Sequence, residues 1–360
     1  MGPTGDLVNV IQIHPTRKCN LRCQHCYSTS GPEYDTELAV APLEAFLVDA
    51  AREGFNAVGF SGGEPLVYRD LPRVLESARK LGFYTTVTTN GLLLNPRTIK
   101  PLAPHVNLVA ISVDGIPASH DRMRAKPKAF ARMRRNLDHL RASAVPFGFI
   151  FTLTLENLDE LAWVAEFAVT EGARLLQIHP LERAGRARDY ALWPPDDLEL
   201  SFAFMEVARL QRRHGERLTL QLDVADRTLI AQQPCRAFAL PEPAAPPDEA
   251  LPLASFVSPL VVQEDGWIVP VQHGFATAHA LGRLGEEPFA HQAARWKRER
   301  YGRFLALSRG VWDQLRDSPS HLPFTNWYAA ITNASLGAKD LIPLRSPRRG
   351  PLADPATAAP

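Results

Sequence analysis

The chain has 360 residues and carries Lys+Arg 40 against Asp+Glu 39, so its formal net charge at pH 7 is +1. This balance argues against a protein that coats nucleic acid, and no apolar run approaches the roughly 20 residues that span a bilayer. The length indicates two domains, or one large α/β domain with an appendage. We therefore expect a cytoplasmic protein without a nucleic-acid or membrane partner.

Strands and helices alternate along the first part of the chain. Short runs of apolar and β-branched residues predict strands, and apolar residues at helical spacing predict helices between them. Asn157, with Glu160 three residues on, resembles a capping box that opens a helix towards Gly172. Strands separated by helix-length segments must pair in parallel, which predicts an α/β fold with a doubly wound or a barrel-type sheet. The predicted strands cover residues 8–13, 56–60, 83–89, 108–113, 147–155 and 174–179.

After residue 223 the alternation ends. The proline-rich segment 241–247 predicts a linker or an extended loop. Asp265-Gly266, between the apolar segments 256–263 and 267–271, predicts a hairpin. The Pro- and Ala-rich C-terminus predicts a disordered tail. The predicted division of the chain is therefore 1–225, 226–340 and 341–360.

The chemically informative residues follow the predicted strands, where parallel sheets bind their ligands. Glycines at a strand end let the backbone approach a ligand and expose its amides, and Glu64 offers an acceptor for a ligand ammonium. The alternative is that the glycine segment after the second strand is a plain βα turn. In chain order the strands are followed by the cysteines, by Ser61-Gly62-Gly63-Glu64-Pro65, by Thr89-Asn90-Gly91 and by Asp114-Gly115.

Three of the four cysteines lie within eight positions, at Cys19, Cys23 and Cys26. Three thiolates at the spacing CxxxCxxC can hold three irons of a four-iron, four-sulfur cluster and leave the fourth iron without a protein ligand. An open coordination position is typical of a catalytic metal site. The alternatives are a zinc site completed by His14 or His25, and three buried structural cysteines.

Together with the glycine motif one βα unit later, the cysteine motif resembles that of the radical S-adenosylmethionine (radical SAM) superfamily. The segment 19–27 is most similar to the branch that carries a C-terminal SPASM or twitch extension. The resemblance covers residues 8–190, with a fainter echo at 256–296. It implies a partial (β/α)6 TIM-like barrel with a smaller C-terminal extension. It also implies two cofactors, a 4Fe-4S cluster and S-adenosylmethionine, whose reductive cleavage gives a radical that abstracts hydrogen from a substrate.

The resemblance also implies roles for individual residues. The cluster would be held by Cys19, Cys23 and Cys26. The match to the family's GGE motif places Gly62, Gly63 and Glu64 at the methionine amino group. His25 would pack near the adenine, Ser112 and Asp114 would face the ribose and carboxylate, and strand backbone at Ile178 would help to hold the adenine. The resulting set of expected cofactor contacts is His25, Gly62, Gly63, Glu64, Asn90, Ser112, Asp114 and Ile178.

Several of these residues have simpler explanations. His25 can be a solvent-facing loop histidine, and Asp114 can belong to a turn with Gly115. His120, Asp121 and Arg124 resemble a common HDxxR stretch, but a solvated helix start explains them equally well. His179 can face the substrate or can be a strand-end histidine whose hydrogen bonds are satisfied.

The C-terminal part departs from the branch it resembles. Val271 stands after Pro270, where relatives carry a cysteine, and only Cys235 remains outside the motif. One thiolate cannot hold an auxiliary cluster. We therefore expect one cluster per chain and a degenerate extension that covers the substrate.

The branch implies maturation of a ribosomal peptide or a related natural product. Tailoring of a small-molecule metabolite or cofactor precursor is the alternative, and a noncatalytic metal-binding scaffold is the alternative of another class. A reducing protein such as flavodoxin or ferredoxin is the expected electron donor. Few residues precede the first predicted strand, so we expect any leader-peptide-binding partner to be a separate chain.

Overall fold

The computed structural model describes residues 8–232, 250–318 and 320–337. Its strands are β1 (Val10–Ile13), β2 (Ala57–Phe60), β3 (Tyr84–Thr89), β4 (Leu108–Val113), β5 (Phe147–Leu153), β6 (Leu175–Pro180), β7 (Thr219–Leu222), β8 (Ala225–Asp226), β9 (Leu260–Val262), β10 (Trp267–Pro270), β11 (Gly282–Arg283) and β12 (Phe324–Thr325). Its helices are α1 (Val40–Arg52), α2 (Leu71–Lys80), α3 (Pro96–Ile99), α4 (Pro117–Met123), α5 (Ala129–Ser143), α6 (Leu161–Glu171), α7 (Asp197–His214), α8 (Arg227–Gln232), α9 (Phe289–Glu299), α10 (Tyr301–Arg316) and α11 (Trp327–Ser335).

Ten strands form one sheet in the order β11-β10-β9-β1-β2-β3-β4-β5-β6-β7. The neighbours from β9 through β1 to β7 pair in parallel, while β10 pairs antiparallel with β9 and β11. Strands β1 to β7 follow one another in sequence order, so the crossovers all run in one direction. This order is typical of a barrel-type sheet, because a doubly wound sheet reverses direction at a switch point. The predicted α/β class is confirmed.

All six predicted strands form, each within two residues of its predicted bounds. A seventh strand, β7, pairs with β6 and was not predicted. Its four residues remain exposed or half-buried, so the segment lacks the apolar run that marks the inner strands. The predicted hairpin also forms as β9 and β10.

The hairpin continues the barrel sheet, because β9 pairs in parallel with β1. The amide of His14, directly after β1, donates to the carbonyl of Val262 over 2.8 Å. The C-terminal segment thereby places its loops beside the loop that follows the first strand. The division of the chain at residue 225 stays a prediction, and Cys235 and the segment 341–360 lie outside the described residues.

Apolar residues at the strand and helix periods build the core. In β5, Phe149, Phe151 and Leu153 are fully buried, and the buried face of α5 belongs to the same apolar core. That face repeats every three or four residues, at Phe130, Met133, Leu137 and Leu140.

The predicted capping box at Asn157 is wrong, because its side chain makes no cap hydrogen bond to α6. It accepts from the amide of Thr154 over 2.7 Å and donates to the carbonyl of Asp114 over 3.2 Å. Asn157 therefore ties the loops after β4 and β5 together. In the described part of the chain, no helix is long and apolar enough to cross a membrane.

Candidate functional site

Four loops meet at the carboxyl edge of β1 to β4. The cysteine loop follows β1 and is joined to the glycine loop after β2 by backbone hydrogen bonds. The amides of Gly63 and Glu64 donate to the carbonyls of Thr16 and Lys18 over 3.0 and 2.9 Å. These two amides serve the contact between the loops, so the expectation that the motif exposes them to a ligand is wrong for this pair.

Gly62 and Gly63 are required by the close approach of the two loops. A Cβ atom on Gly63 would lie 2.2 Å from the carbonyl oxygen of Lys18. Gly62 has φ of +97°, and a Cβ there would lie 2.8 Å from the Cβ of His14. A plain βα turn would not impose these contacts. The glycines therefore fix the position of the cysteine loop.

Glu64 is 1% exposed and joins the glycine loop to the end of β3. Its carboxylate accepts from Thr89 Oγ1 over 2.7 Å and from the amide of Asn90 over 2.9 Å. It also accepts from the amide of Leu66 over 3.2 Å. Burial raises the pKa of this carboxyl, and the three hydrogen bonds oppose that shift. An ionised carboxylate has about four acceptor positions, so one remains for a ligand ammonium.

Asn90 links the third loop to the cysteine loop. Its side-chain amide donates to Asn20 Oδ1 over 2.7 Å, and its Oδ1 accepts from the amide of Leu92 over 3.0 Å. Asn90 is 6% exposed. Its side chain therefore holds the segment between Cys19 and Cys23 in place.

The three thiols are largely withdrawn from solvent. Burial is the main cause that raises the pKa of Cys19 to about 12 and that of Cys23 to about 11. Cys26 Sγ accepts from the amide of Ser30 over 3.4 Å, and Arg124 Nη1 lies 3.7 Å from Cys23 Sγ. With such pKa values the thiols of Cys19 and Cys23 are protonated at neutral pH, so a metal must displace their protons to be bound.

The donor set fits an iron–sulfur cluster better than a zinc ion. Tetrahedral zinc with bonds of about 2.3 Å holds its sulfur ligands roughly 3.8 Å apart. Among the described residues, the three cysteine sulfurs do not all lie within 4.8 Å of one another, either alone or with a histidine. Larger separations are what a cubane requires, because each cysteine binds a different iron.

A buried ionic group lies beside the cysteine loop, at the end of β4. Asp114 is fully buried, and Arg124 Nε lies 2.6 Å from its Oδ2. Burial alone would raise the pKa of Asp114, but the charge of Arg124 holds it below its usual value. His120 Nδ1 accepts from the amide of Asp114 over 3.2 Å. His120 and Arg124 are 0% and 7% exposed, so the solvated helix start is wrong for both.

His25 belongs to the same group. Its side chain is 10% exposed and its Nε2 lies 3.8 Å from Asp114 Oδ2, so the solvent-facing alternative is wrong. Burial lowers the pKa of His25 to about 4. Asp114 Oδ1 and His25 Nδ1 are buried polar atoms without a hydrogen-bond partner, as expected where a polar ligand completes a site. Both residues therefore fit the predicted cofactor contacts.

The remaining predicted contacts lie on β4 and β6. Ser112 is half-buried, and Ile178 is fully buried with its carbonyl accepting from the amide of Asp223 over 2.9 Å. That carbonyl is therefore already used within the fold. The roles of Ser112 and Ile178 at a cofactor stay predictions.

His179 is held between two carboxylates. Its Nδ1 lies 3.1 Å from Asp223 Oδ2, and its Nε2 lies 3.0 Å from Glu182 Oε1. Burial opposes the charged ring, but the two carboxylates raise the pKa of His179 to about 10. Both ring nitrogens are therefore satisfied, as the strand-end alternative predicts, and a substrate-facing role stays a prediction.

Arg186 is a site residue that the sequence did not reveal. Its guanidinium donates to the carbonyls of Cys23 and Ser30 over 2.9 and 2.8 Å, and its amide donates to the carbonyl of Cys26 over 2.9 Å. It clamps the cysteine loop from the segment after β6. The sequence carries no signal for this contact, because Cys23 and Arg186 are 163 positions apart.

A second group, His14, Glu264 and His273, lies where the C-terminal hairpin meets the cysteine loop. Burial lowers the pKa of His14 to about 3, so its ring is neutral at pH 7. Burial alone would raise the pKa of Glu264, but a hydrogen bond with His273 holds it at about 2. His14 is thus not a ligand of the cysteine site in this arrangement. Its Nδ1 faces Glu264 at 4.0 Å.

Comparison with known proteins places these features in a family. Residues 13–168 match the family model described as the radical SAM superfamily. Fe-coproporphyrin III synthase of Methanosarcina barkeri is 31% identical over 49% of this chain and 45% of its own length. PqqA peptide cyclase of Xanthomonas axonopodis pv. citri is 26% identical over 62% of each chain. This chain spans about half the length of the curated relatives that match it first.

Solved structures extend the likeness of fold to the C-terminal part. Streptococcus suis SuiB bound to S-adenosylmethionine has a TM-score of 0.63 at 16% identity, covering 84% of this chain and 68% of that one. SuiB bound to its precursor peptide SuiA has a TM-score of 0.65 at 14% identity, covering 95% of this chain and 75% of that one. The partial barrel and the likeness to the branch with C-terminal extensions are confirmed. Residues 13–168 therefore form a radical SAM domain, and the enzymes of that superfamily use S-adenosylmethionine and a 4Fe-4S cluster as cofactors.

Proposed function

We propose that this chain binds one 4Fe-4S cluster and S-adenosylmethionine at the carboxyl edge of β1 to β4 and uses them to abstract hydrogen from a substrate. The observation that carries the proposal is the convergence of three clustered thiols with unpartnered polar atoms of Asp114 and His25. When bound, the cluster and S-adenosylmethionine supply a radical by reductive cleavage.

The protein's own residues position these groups and keep water away. Cys19, Cys23 and Cys26 would hold the cluster, and Arg124 would offset part of the negative charge of the thiolates and of Asp114. Arg186 keeps the cysteine loop closed.

The predicted cofactor contacts would surround S-adenosylmethionine. One free acceptor position on Glu64 would accept from the methionine ammonium, and the amide of Asn90 keeps that carboxylate in place. The whole set proposed at the cofactor is His25, Gly62, Gly63, Glu64, Asn90, Ser112, Asp114 and Ile178.

A ribosomal peptide is the proposed substrate class. Support comes from the sequence relatives named for peptides, which include PqqA peptide cyclase and the sporulation killing factor maturation protein SkfB of Bacillus subtilis, 26% identical over 57% of this chain. A tetrapyrrole is the second candidate, because Fe-coproporphyrin III synthase and the AdoMet-dependent heme synthase of M. barkeri are 31% and 32% identical to about half of this chain. A flavodoxin or ferredoxin would supply the electron, and a cytoplasmic location fits that donor.

The first experiment tests cofactor cleavage. Anaerobically reconstituted protein with dithionite should convert S-adenosylmethionine to methionine and 5′-deoxyadenosine, measured by chromatography. Cys23→Ala should abolish this conversion, because two thiolates cannot keep the cluster. Cys235→Ala is the matched control and should retain it. Cleavage at the wild-type rate by Cys23→Ala would contradict the assignment of the cluster ligands. A colourless wild-type protein that loads no iron would favour the noncatalytic scaffold.

The second experiment tests the substrate class. The reduced enzyme is incubated separately with precursor peptides encoded near its gene and with iron coproporphyrin III, and each product is analysed by mass spectrometry. A mass change in a peptide, with 5′-deoxyadenosine formed in proportion, is the expected result. A mass change confined to the porphyrin would show that the substrate class is a tetrapyrrole and not a peptide.

A further inference from the structure

His14, Glu264 and His273 come together from distant parts of the chain. His14 directly follows β1, Glu264 lies in the turn between β9 and β10, and His273 follows β10. Their ligand atoms all lie within 4.8 Å of one another, which no other described group of three His, Cys, Asp or Glu residues achieves. Because the pairing of β1 with β9 creates this contact, the group exists only in the folded chain.

The distances suit a single metal ion. His273 Nε2 lies 3.0 Å and His14 Nδ1 lies 4.0 Å from the same oxygen, Glu264 Oε2. Ligand atoms bound at about 2.1 Å stand roughly 3.0–3.4 Å apart in octahedral or tetrahedral geometry. The pair of His273 and Glu264 already has this separation. His14 and Glu264 would have to approach by roughly an ångström or less, and the ligand atoms of the two histidines lie within 4.8 Å of each other. The two imidazole rings are stacked, with centroids 4.9 Å apart.

Hydrogen bonding within the protein does not account for His14. The residue is fully buried, and its Nδ1 has no hydrogen-bond partner. A buried nitrogen of this kind destabilises the fold unless something binds it. The other ring nitrogen, Nε2, lies 3.5 Å from the hydroxyl of Tyr27, so Nδ1 is the one aimed into the group. A buried, unpartnered imidazole nitrogen facing a carboxylate and a second histidine is typical of a ligand.

The surroundings resemble those of metal ligands. Metal-bound histidines usually bond through their second nitrogen to a neighbouring group, and Tyr27 is placed to do so for His14. Arg17 is the one Lys or Arg among the described ion pairs of Glu264, and its Nε lies 4.0 Å from Oε1, whereas the two histidines are paired with Oε2. Oε2 is therefore left for an ion.

We propose that His14, Glu264 and His273 form a mononuclear site for a divalent first-row transition-metal ion, separate from the cysteine site. Two imidazoles and one carboxylate favour such ions over calcium or magnesium, and three protein ligands leave positions open to water or a substrate oxygen. The ion would join the C-terminal hairpin to the end of β1. The site does not depend on the proposed radical chemistry.

Cobalt(II) is the probe, because it can be told apart from the iron of the cluster. Untagged, cluster-loaded full-length protein is incubated anaerobically with cobalt(II) chloride, desalted, and analysed by elemental mass spectrometry. One cobalt per chain is expected for the wild type. Glu264→Gln and His273→Ala should bind at least about a hundredfold more weakly, since even loss of an outer-shell partner costs 10–100-fold. His291→Ala, an exposed histidine of α9, is the control and should bind like the wild type.

A second measurement keeps the two proposals separable. The Cys19→Ser/Cys23→Ser/Cys26→Ser protein cannot load the cluster but retains the second group. It should still bind one cobalt, with d–d absorption bands and without thiolate-to-cobalt charge transfer, and the ion should raise its melting temperature. Absence of cobalt from both the wild type and this variant, or equal cobalt in the wild type, Glu264→Gln and His273→Ala, would overturn the metal site. Loss of 5′-deoxyadenosine formation alone would affect only the proposed function.

Discussion

Glu64 illustrates how one buried side chain serves both the fold and the proposed chemistry. Glu64→Gln replaces one acceptor oxygen by an NH₂ group, which is a donor. The native carboxylate accepts from the backbone amides of Asn90 and Leu66 and from the hydroxyl of Thr89. A carboxylate bonded to an ammonium contributes about 1.5–3 kcal/mol. We therefore expect S-adenosylmethionine to bind roughly ten- to a hundredfold more weakly, measured by calorimetry, with iron content retained.

The control for this prediction is Glu76→Gln. Glu76 lies on α2, where its carboxylate pairs with Lys80 at an exposed position. The Glu76→Gln variant should bind the cofactor like the wild type. Unchanged affinity in Glu64→Gln would remove Glu64 from the cofactor site and leave it a purely structural residue.

His179 gives a pH dependence with a defined sign. Its folded pKa of about 10 lies above the ordinary histidine value of 6.5, so the imidazolium stabilises the native state most below pH 6.5. This contribution is lost as the pH rises through 10. Because the side chain is 38% exposed, solvent screening limits the contribution of the charged ring to the free energy of unfolding to about 1 kcal/mol.

The measurement compares urea unfolding of the wild type with that of His179→Gln at several pH values. The wild type should have the larger free energy of unfolding at about pH 6, and the difference should shrink towards pH 10. A difference that grows with pH would show that the two carboxylates do not hold the ring charged.

At the scale of elements, the contact between the loops after β1 and β2 depends on the absence of a side chain. Gly63→Ala would place a Cβ 2.2 Å from the carbonyl oxygen of Lys18, which is backbone and cannot rotate away. Separation of the two loops should lower the free energy of unfolding by roughly 1–3 kcal/mol, as overpacking does. It should also reduce iron loading, because the cysteine loop would shift.

Gly310→Ala is the matched control. Gly310 lies within α10 and is exposed, and a Cβ added to it would meet no neighbouring side chain or loop within 4 Å. Alanine there should stabilise the chain by roughly 0.5–1 kcal/mol and leave iron content unchanged. Both variants are compared by urea unfolding and iron analysis. Equal behaviour of Gly63→Ala and Gly310→Ala would contradict the tight approach of the loops.

For the whole molecule, we predict one iron–sulfur cluster per chain. Outside the motif the sequence has only Cys235, and Val271, which offers no lone pair to iron, packs into the core with 8% exposure. Reconstituted protein should contain about four cluster irons, matched by about four sulfides. Iron and sulfide analysis with electron paramagnetic resonance measures this number, and Cys235→Ala should leave it unchanged. About eight irons, or a cluster signal that survives loss of the three motif cysteines, would contradict it.

The six apolar strands and the cluster motif can be predicted from the amino-acid sequence, because both depend on residues that are neighbours along the chain. Apolar runs such as β4 and β5 carry their own periodicity, and the hairpin follows from Asp265-Gly266. Cys19, Cys23 and Cys26 lie so close along the chain that any compact loop brings them together. The glycine motif is recognisable for the same reason, although the amides of Gly63 and Glu64 donate to the neighbouring loop.

The distant residues that complete these local units become visible in the folded chain alone. Arg124 and Arg186 reach Cys23 across 101 and 163 positions, and neither contact leaves a mark on the nearby sequence. The pairing of β9 with β1 brings Glu264 and His273 to His14. Local patterns specify turns, periods and faces, whereas the order of strands in the sheet decides which loops meet, and that order depends on the packing of the whole chain.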